Sequence, residues 1–349
     1  MNFLIIKKLN LKKASDRIRI LPWTKLGKEE YKILFWNNIF EIIYIIIKHR
    51  KSKLIFILSK EFSIYGLIII ALKFIIKSKV ILDICDLEFY KEGIDLRIIQ
   101  RKLFSKFILY FSDVIVVSTS FIYENLKSFY KNKKFFILED NLDIEFLPKY
   151  CSLRLEKADQ PKKIGWFGTS GYKLYTFKNN FYFNQSFIEL INLIRYFKSC
   201  NGSYEFHLFT DNINQIKLFL NKNIERSSNL KFCLVQYNLN KINEFFENVE
   251  SIIITYGNND FMKAKSPNRV DTSLWLGKKV ITYKEPKNWV KDYSYLNNNY
   301  LRSDNKKEIY KSISNNSYLF NSKEKFFKEI IKKETSSEKI RNNILTMLL

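Results

Sequence analysis

Short apolar runs of four to six residues, set apart by longer segments whose apolar residues recur with helical spacing, constrain this chain more than any other feature. Runs that short and that apolar suit strands covered on both faces, and a helix between successive strands is what a parallel sheet requires. In the first half, strands are expected near Phe3 to Ile6, Tyr31 to Phe35, Leu54 to Leu58, Val80 to Ile84, Val114 to Val117 and Phe135 to Leu138. Helices are expected near Ile39 to His49, Ser63 to Ile76, Leu96 to Tyr110 and Phe121 to Tyr130. The alternation breaks off over Asn141 to Pro161, a polar stretch with no sustained periodicity. It resumes with strands near Ile164 to Phe167, Phe206 to Phe209, Lys231 to Val235, Ile252 to Thr255 and Val280 to Tyr283. Helices near Gln185 to Phe197, Ile213 to Leu220, Leu239 to Phe246 and Ser266 to Leu276 go with them, and a charged helical stretch follows from Lys306.

The expected organisation of the 349 residues is thus an α/β domain over 1–145, a linker over 146–162 and a second α/β domain over 163–349 that includes the C-terminal helices. Open sheets of this kind bind ligands beyond the carboxyl ends of their strands, so the residues just after each strand are where chemistry is sought.

Charge narrows the partners. The formal net charge is +24, which suits nucleic acid, an anionic membrane or a phosphorylated substrate. The lysines are scattered, and the chain has no zinc-finger spacing, no RNP-like aromatic motif and no Gly-rich basic tail, so a nucleic-acid partner is not expected. The helix from Leu96 to Tyr110 mixes Arg97, Arg101, Lys102 and Lys106 with apolar residues. Its apolar stripe should pack on the sheet while its charged face gives weak attachment to an anionic membrane.

Cys85, Cys151, Cys200 and Cys233 are too far apart for a metal knuckle or a redox pair and read as reduced thiols in a cytoplasmic protein. The N-terminal apolar run is too short for an export signal, and Ile64 to Ile76 is interrupted by Lys73 and too short to span a bilayer. Ser-His-Asp, HExxH and P-loop patterns are missing, which leaves hydrolase and ATPase readings without support. His49 ends a helix and His207 lies inside an apolar strand, so neither is a catalytic candidate.

Three segments carry candidate chemistry. In Lys265-Ser-Pro-Asn-Arg-Val-Asp-Thr-Ser-Leu-Trp-Leu-Gly277, Ser266 is expected as the N-cap, Pro267 at the first helical position, and Gly277 as the left-handed stop. Lys265 and Arg269 at that helix start, with Ser266 and Asn268, form a candidate phosphate or diphosphate site. The plain alternative is a capped surface helix. Ile164-Gly-Trp-Phe-Gly-Thr-Ser-Gly171 is a strand entering a loop, where Gly168, Thr169 and Gly171 could let backbone N–H groups approach a phosphate. Val80-Ile-Leu-Asp-Ile-Cys-Asp86 is an apolar strand ending in carboxylates; Asp86, at or past its carboxyl end, is the catalytic candidate, with capping of the next segment as the alternative.

The pattern Lys-Ser-x-Asn-Arg, then a helix, then Gly-x-x-Val, resembles the donor-binding segment of bacterial glycosyltransferases with the two-domain GT-B fold, similar to the group 1 or family 4-like enzymes. Ser112-Asp-Val-Ile-Val-Val-Ser-Thr-Ser120 matches their "Ala-Asp-x-Val-x-Val-Ser" strand, and Ile137 to Asp143 is similar to their "Ile-Pro-Asn-Gly-Val-Asp" stretch, with Glu139, Asp140 and Leu142 departing from it. Ala14-Ser-Asp-Arg-Ile-Arg19 resembles their "Ser-x-Arg-x-Arg" turn, which makes Arg17 and Arg19 candidates for the acceptor or phosphate side.

The resemblance implies two Rossmann-like domains facing across a cleft, and transfer of a sugar from a nucleotide-diphosphate donor to a glycan or lipid-linked acceptor in cell-surface polysaccharide assembly. It implies no cofactor and no metal, while the thiols and the basic charge lead to the expectation of a cytoplasmic place, peripheral on the inner face of the plasma membrane. Where many of these enzymes hold the ribose with a Glu, this chain has Thr272; Asp271 is adjacent but about 100° away around the helix. That departure leaves a non-catalytic nucleotide-sugar-binding protein as the alternative, with a basic nucleic-acid binder behind it.

Overall fold

The computed structural model describes residues 2–11, 13, 16–26, 31–86, 96–142, 145, 147, 160–173, 181–224, 227–296, 299–314 and 323–348. Most of the expected linker, residues 148–159, lies outside them. The chain divides into two units. The first comprises Met1–Leu142, Ala264–Ser266 and Ile330–Leu349, and the second Asp143–Lys263 and Pro267–Glu329. Two pieces of the chain expected with the second domain, the tripeptide at Lys265 and the C-terminal twenty residues, therefore group with the first.

In the first unit, strands β1 (Asn2–Lys7), β2 (Tyr31–Trp36), β3 (Lys53–Ser59), β4 (Lys79–Ile84), β5 (Val114–Val117) and β6 (Lys134–Ile137) form one parallel sheet in the order β2-β1-β3-β4-β5-β6. Helices α1 (Leu21–Thr24), α2 (Ile39–Lys48), α3 (Ile64–Ile76), α4 (Leu96–Phe111) and α5 (Ser120–Phe129) join them. The two-residue period of a strand sorts its side chains onto two faces. Phe3, Ile5, Leu54, Phe56, Val80 and Leu82 pack with Ile42 and Ile46 of α2, Ile69 and Ile70 of α3, Ile108 of α4 and Ile122 of α5. Leu4, Ile6, Ile55, Ile57 and Ile81 face the other way, onto Trp23 of α1 and onto Ile344 and Leu345 near the C-terminus. Asn38, Ser63 and Thr119 cap α2, α3 and α5 by accepting from backbone N–H groups of the first turn.

The second unit repeats the scheme with β7 (Lys162–Gly168), a small antiparallel pair β8 (Gly171–Lys173) and β9 (Phe181–Phe183), then β10 (Tyr204–Thr210), β11 (Leu230–Gln236), β12 (Ser251–Thr255), β13 (Lys279–Tyr283) and β14 (Leu301–Ser303). Its helices are α6 (Gln185–Lys198), α7 (Ile213–Asn223), α8 (Ile242–Glu247), α9 (Asp260–Lys263), α10 (Asn268–Trp275), α11 (Trp289–Asp292), α12 (Lys306–Ser314) and α13 (Lys323–Leu348), whose residues from Ile330 on belong to the first unit. The main sheet runs β11-β10-β7-β12-β13-β14, all parallel. Numbered within the unit without the small pair, that order is 3-2-1-4-5-6, and the chain reverses its direction of travel between β7 and β12. This is the topological switch point at which such sheets leave room for a ligand.

Candidate functional site

Arg269, in the first turn of α10, sits at that switch point. Its Nη1 donates to the carbonyl of Phe167 in β7 at 3.1 Å and its Nη2 to the carbonyl of Thr255, the last residue of β12, at 3.3 Å. The guanidinium carbon lies 5.1 Å from the ring centre of Tyr256. Among the described residues no carboxylate pairs with Arg269, so its full positive charge is held by neutral carbonyls and an aromatic face at the ends of two central strands. Ser186 of α6 fixes the same strand end: its hydroxyl donates to the Thr255 carbonyl at 2.6 Å, and the Thr255 hydroxyl returns a bond to the Ser186 carbonyl at 2.6 Å.

Gly168 is the neighbour of Arg269. Its φ is +149°, and a Cβ placed on it would lie 3.0 Å from Nη1 of Arg269. The loop after it is anchored rather than open. The amide and hydroxyl of Ser170 donate to the Asp211 carboxylate at 3.0 and 3.1 Å, and the Thr169 carbonyl accepts from the Asn184 side chain. Gly171 has already entered β8. Of the three loop candidates, Gly168 is the one brought against Arg269, while Thr169 is tied through its backbone to Asn184.

The start of α10 differs from expectation. The helix runs from Asn268 with Pro267 as its N-cap, and no side chain caps it. Ser266 instead donates to the carboxylate of Asp140 in the first unit, because the tripeptide Ala264–Ser266 groups there. The amides of Val270 and Asp271 both donate to the Pro267 carbonyl. Gly277 does supply the stop, at φ +74°. Asp271 is buried and accepts the Tyr295 hydroxyl on both oxygens, at 3.1 and 2.9 Å. Thr272 is also buried. A carboxylate turned inward onto a tyrosine is a poor ribose ligand, which corrects the expectation for Asp271.

Within the first unit, Asp86 lies two residues past β4 and holds two ammonium groups, those of Lys60 and Lys265. Burial alone would raise its pKa, but the two lysines outweigh burial and hold the carboxyl well below the usual carboxylate range. Such a carboxylate is a weak general base. Lys60 follows β3 with φ +51°, a left-handed conformation that costs free energy in a non-glycine residue. Sequence reasoning missed Lys60, because nothing local marks a lysine as the partner of an aspartate 26 residues on. Next to Asp86, burial pushes the Cys85 thiol up to about 12, so it is inert.

Arg17 and Arg19 do not reach outward. Arg19 is fully buried: it donates to Asp83 and to the Leu138 carbonyl, and meets Asp140 at 3.2 Å. Burial would lower its pKa, yet Asp83 and Asp140 outweigh that and raise it. Nη1 of Arg17 donates to the Leu11 carbonyl at 2.6 Å and the residue is 4% exposed. Both expectations of a phosphate contact from these arginines are corrected by their burial. Asp83 belongs to this internal cluster, and Asp86 meets the two lysines.

No protein-family description matches the sequence, and no curated protein matches it. Solved structures do match. The chain is similar to HepE (Alr3699) of Anabaena in complex with UDP-glucose, at 8% identity and a TM-score of 0.63, with 99% of each chain covered. It is similar to the sucrose-phosphate synthase of Thermosynechococcus elongatus at 8% identity and a TM-score of 0.65, covering 100% of this chain and 99% of that one. TarM matches at 13% identity and a TM-score of 0.55 over 90% of this chain, which spans 59% of TarM. At these identities the likeness concerns the fold: two six-stranded parallel α/β sheets of the GT-B glycosyltransferase kind.

Proposed function

We propose that the chain is a glycosyltransferase that takes a nucleoside-diphosphate sugar as donor. The observation that carries the reading is Arg269, an arginine without a carboxylate partner among the described residues, held at the switch point of the second sheet against a glycine that leaves it room. A guanidinium matches the two acceptor oxygens of a phosphate, and in a water-poor site it stabilises the charge that grows on a leaving diphosphate. In this reading Arg269 does that work with no metal ion. The HepE structures in complex with UDP and with UDP-glucose favour a uridine nucleotide as the first donor to try.

In the same proposal, Asn268 serves the phosphates with Arg269, the acceptor is a glycan or lipid-linked glycan of cell-surface polysaccharide assembly, and the enzyme works in the cytoplasm at the inner face of the plasma membrane. Asp86 orients Lys60 and Lys265 rather than taking a proton, since both of its partners favour the ionised form. Release of UDP from UDP-sugars tests the reading: turnover, with or without added acceptor, supports it, and its absence across a panel of nucleoside-diphosphate sugars contradicts it.

A second reading, a nucleotide-sugar-binding protein without transferase activity, has one observation in its favour. Asp271, the ribose candidate, is turned onto Tyr295, and Asp86, the catalytic candidate, is held by two lysines as a weak base. Binding of UDP without any donor turnover would select it.

A further inference from the structure

Helices α2, α3, α4 and α5 form one layer, because Ile42, Ile69, Ile108 and Ile122 all pack on the same face of the first sheet. Its outer surface is not polar. On α2, Phe40, Ile43, Tyr44 and Ile47 recur at the spacing of one helical face and are 79, 40, 61 and 65% exposed. On α3, Phe74 and Ile75 are 58 and 78% exposed. On α4, Leu103 and Phe107 are 62 and 45% exposed, so part of the apolar stripe expected to pack on the sheet faces solvent, while Phe104 packs on the core with Ile108 and Leu109. The patch is continuous from α3 to α4, where the Phe74 ring meets Phe111 at 5.5 Å and Phe111 meets Phe107 at 4.5 Å.

Charge identifies the occupant. Over 39–52, 64–78, 96–113 and 120–133, which are these four helices and the turn after each, twelve lysines and arginines stand against three acids, Glu41, Asp113 and Glu124, of which Asp113 pairs with Lys73. A second copy docking here would bring like charge onto like charge. Nucleic acid would satisfy the lysines and leave the phenylalanines and isoleucines in water. An anionic bilayer satisfies both, with lysines at the headgroups and apolar side chains at the acyl boundary. Among the described residues no helix is long and apolar enough to cross a membrane, which fits contact from one side.

We infer that the outer face of the α2–α4 layer is a docking surface for an anionic lipid bilayer, with Phe40, Ile47 and Ile75 as inserting side chains. The inference deepens the peripheral-membrane part of the proposed function while resting on residues apart from Arg269, so the two can fail separately. The test is sedimentation of the full chain with vesicles of phosphatidylcholine alone or mixed with phosphatidylglycerol, at low and high salt, alongside Phe40→Ser/Ile47→Ser and Ile75→Ser.

The wild type should pellet with the mixed vesicles at low salt and stay in solution with the neutral ones. Each variant should bind the mixed vesicles about tenfold more weakly or less, with melting temperature and UDP affinity unchanged. Equal recovery of the wild type from the supernatant in all four conditions would overturn the inference, as would variants that pellet like the wild type. Two further results would overturn it: concentration-dependent self-association lost in the variants, which assigns the face to a second copy, or displacement from vesicles by random duplex DNA in proportion to its charge alone.

Discussion

Nη1 of Arg269 lies 3.0 Å from the point where a Cβ on Gly168 would stand, so the glycine at the end of β7 and the arginine of α10 occupy one site by mutual fit. Gly168→Ala meets two obstacles, that contact and a φ of +149° that side chains rarely adopt. The expected outcome is a fall in stability of about 1–3 kcal/mol and weaker nucleotide binding, read from denaturant unfolding and calorimetry. An alanine variant with unchanged affinity would separate the glycine from the site.

Asp86→Asn should lower the stability at pH 7 by about 1.5–3 kcal/mol, because the charged partner of both Lys60 and Lys265 is lost. The folded pKa of Asp86 is depressed, so its stabilisation is present above the unfolded value of about 4 and is lost as pH falls below it. The wild type should lose stability through that acid range more steeply than Asp86→Asn. Identical acid limbs for the two proteins would show that the ion pairs contribute nothing in solution.

Arg19→Ala should act as a folding defect and not as a binding defect. Its guanidinium is fully buried against Asp83 and Asp140, and removal leaves carboxylates without their cation, at a cost of about 3–5 kcal/mol. Urea unfolding should show the loss, while the folded fraction binds UDP as the wild type does. A normal stability with lost affinity would restore Arg19 to the ligand site.

The sheets were legible because a strand covered on both faces is a short apolar run: Phe3 and Ile5 pack to one side, Leu4 and Ile6 to the other. Leu301–Ser303 escaped because a three-residue edge strand containing Arg302 has no such pattern. At the candidate site, Arg269 and Gly168 could be named from local chemistry, helix start and strand-end glycine. Their partners could not. The sheet order pairs Ile164 of β7 with Ser251 of β12, 87 positions on, and so brings the Phe167 and Thr255 carbonyls to one guanidinium; Ser186 meets Thr255 from 69 positions away. Ser266 reads as a good cap in sequence, but its hydroxyl is drawn to Asp140, a tertiary partner 126 positions away.

The central claim is that Arg269 holds the diphosphate of a nucleotide donor, and calorimetric titration of UDP into the wild type and Arg269→Ala tests it most directly. A charge-assisted bidentate contact contributes about 1.5–3 kcal/mol, so the variant should bind about tenfold or more weakly while melting within a few degrees of the wild type. Equal affinity in the two proteins, or no heat of binding from the wild type with UDP and with the other nucleoside diphosphates, would contradict the account.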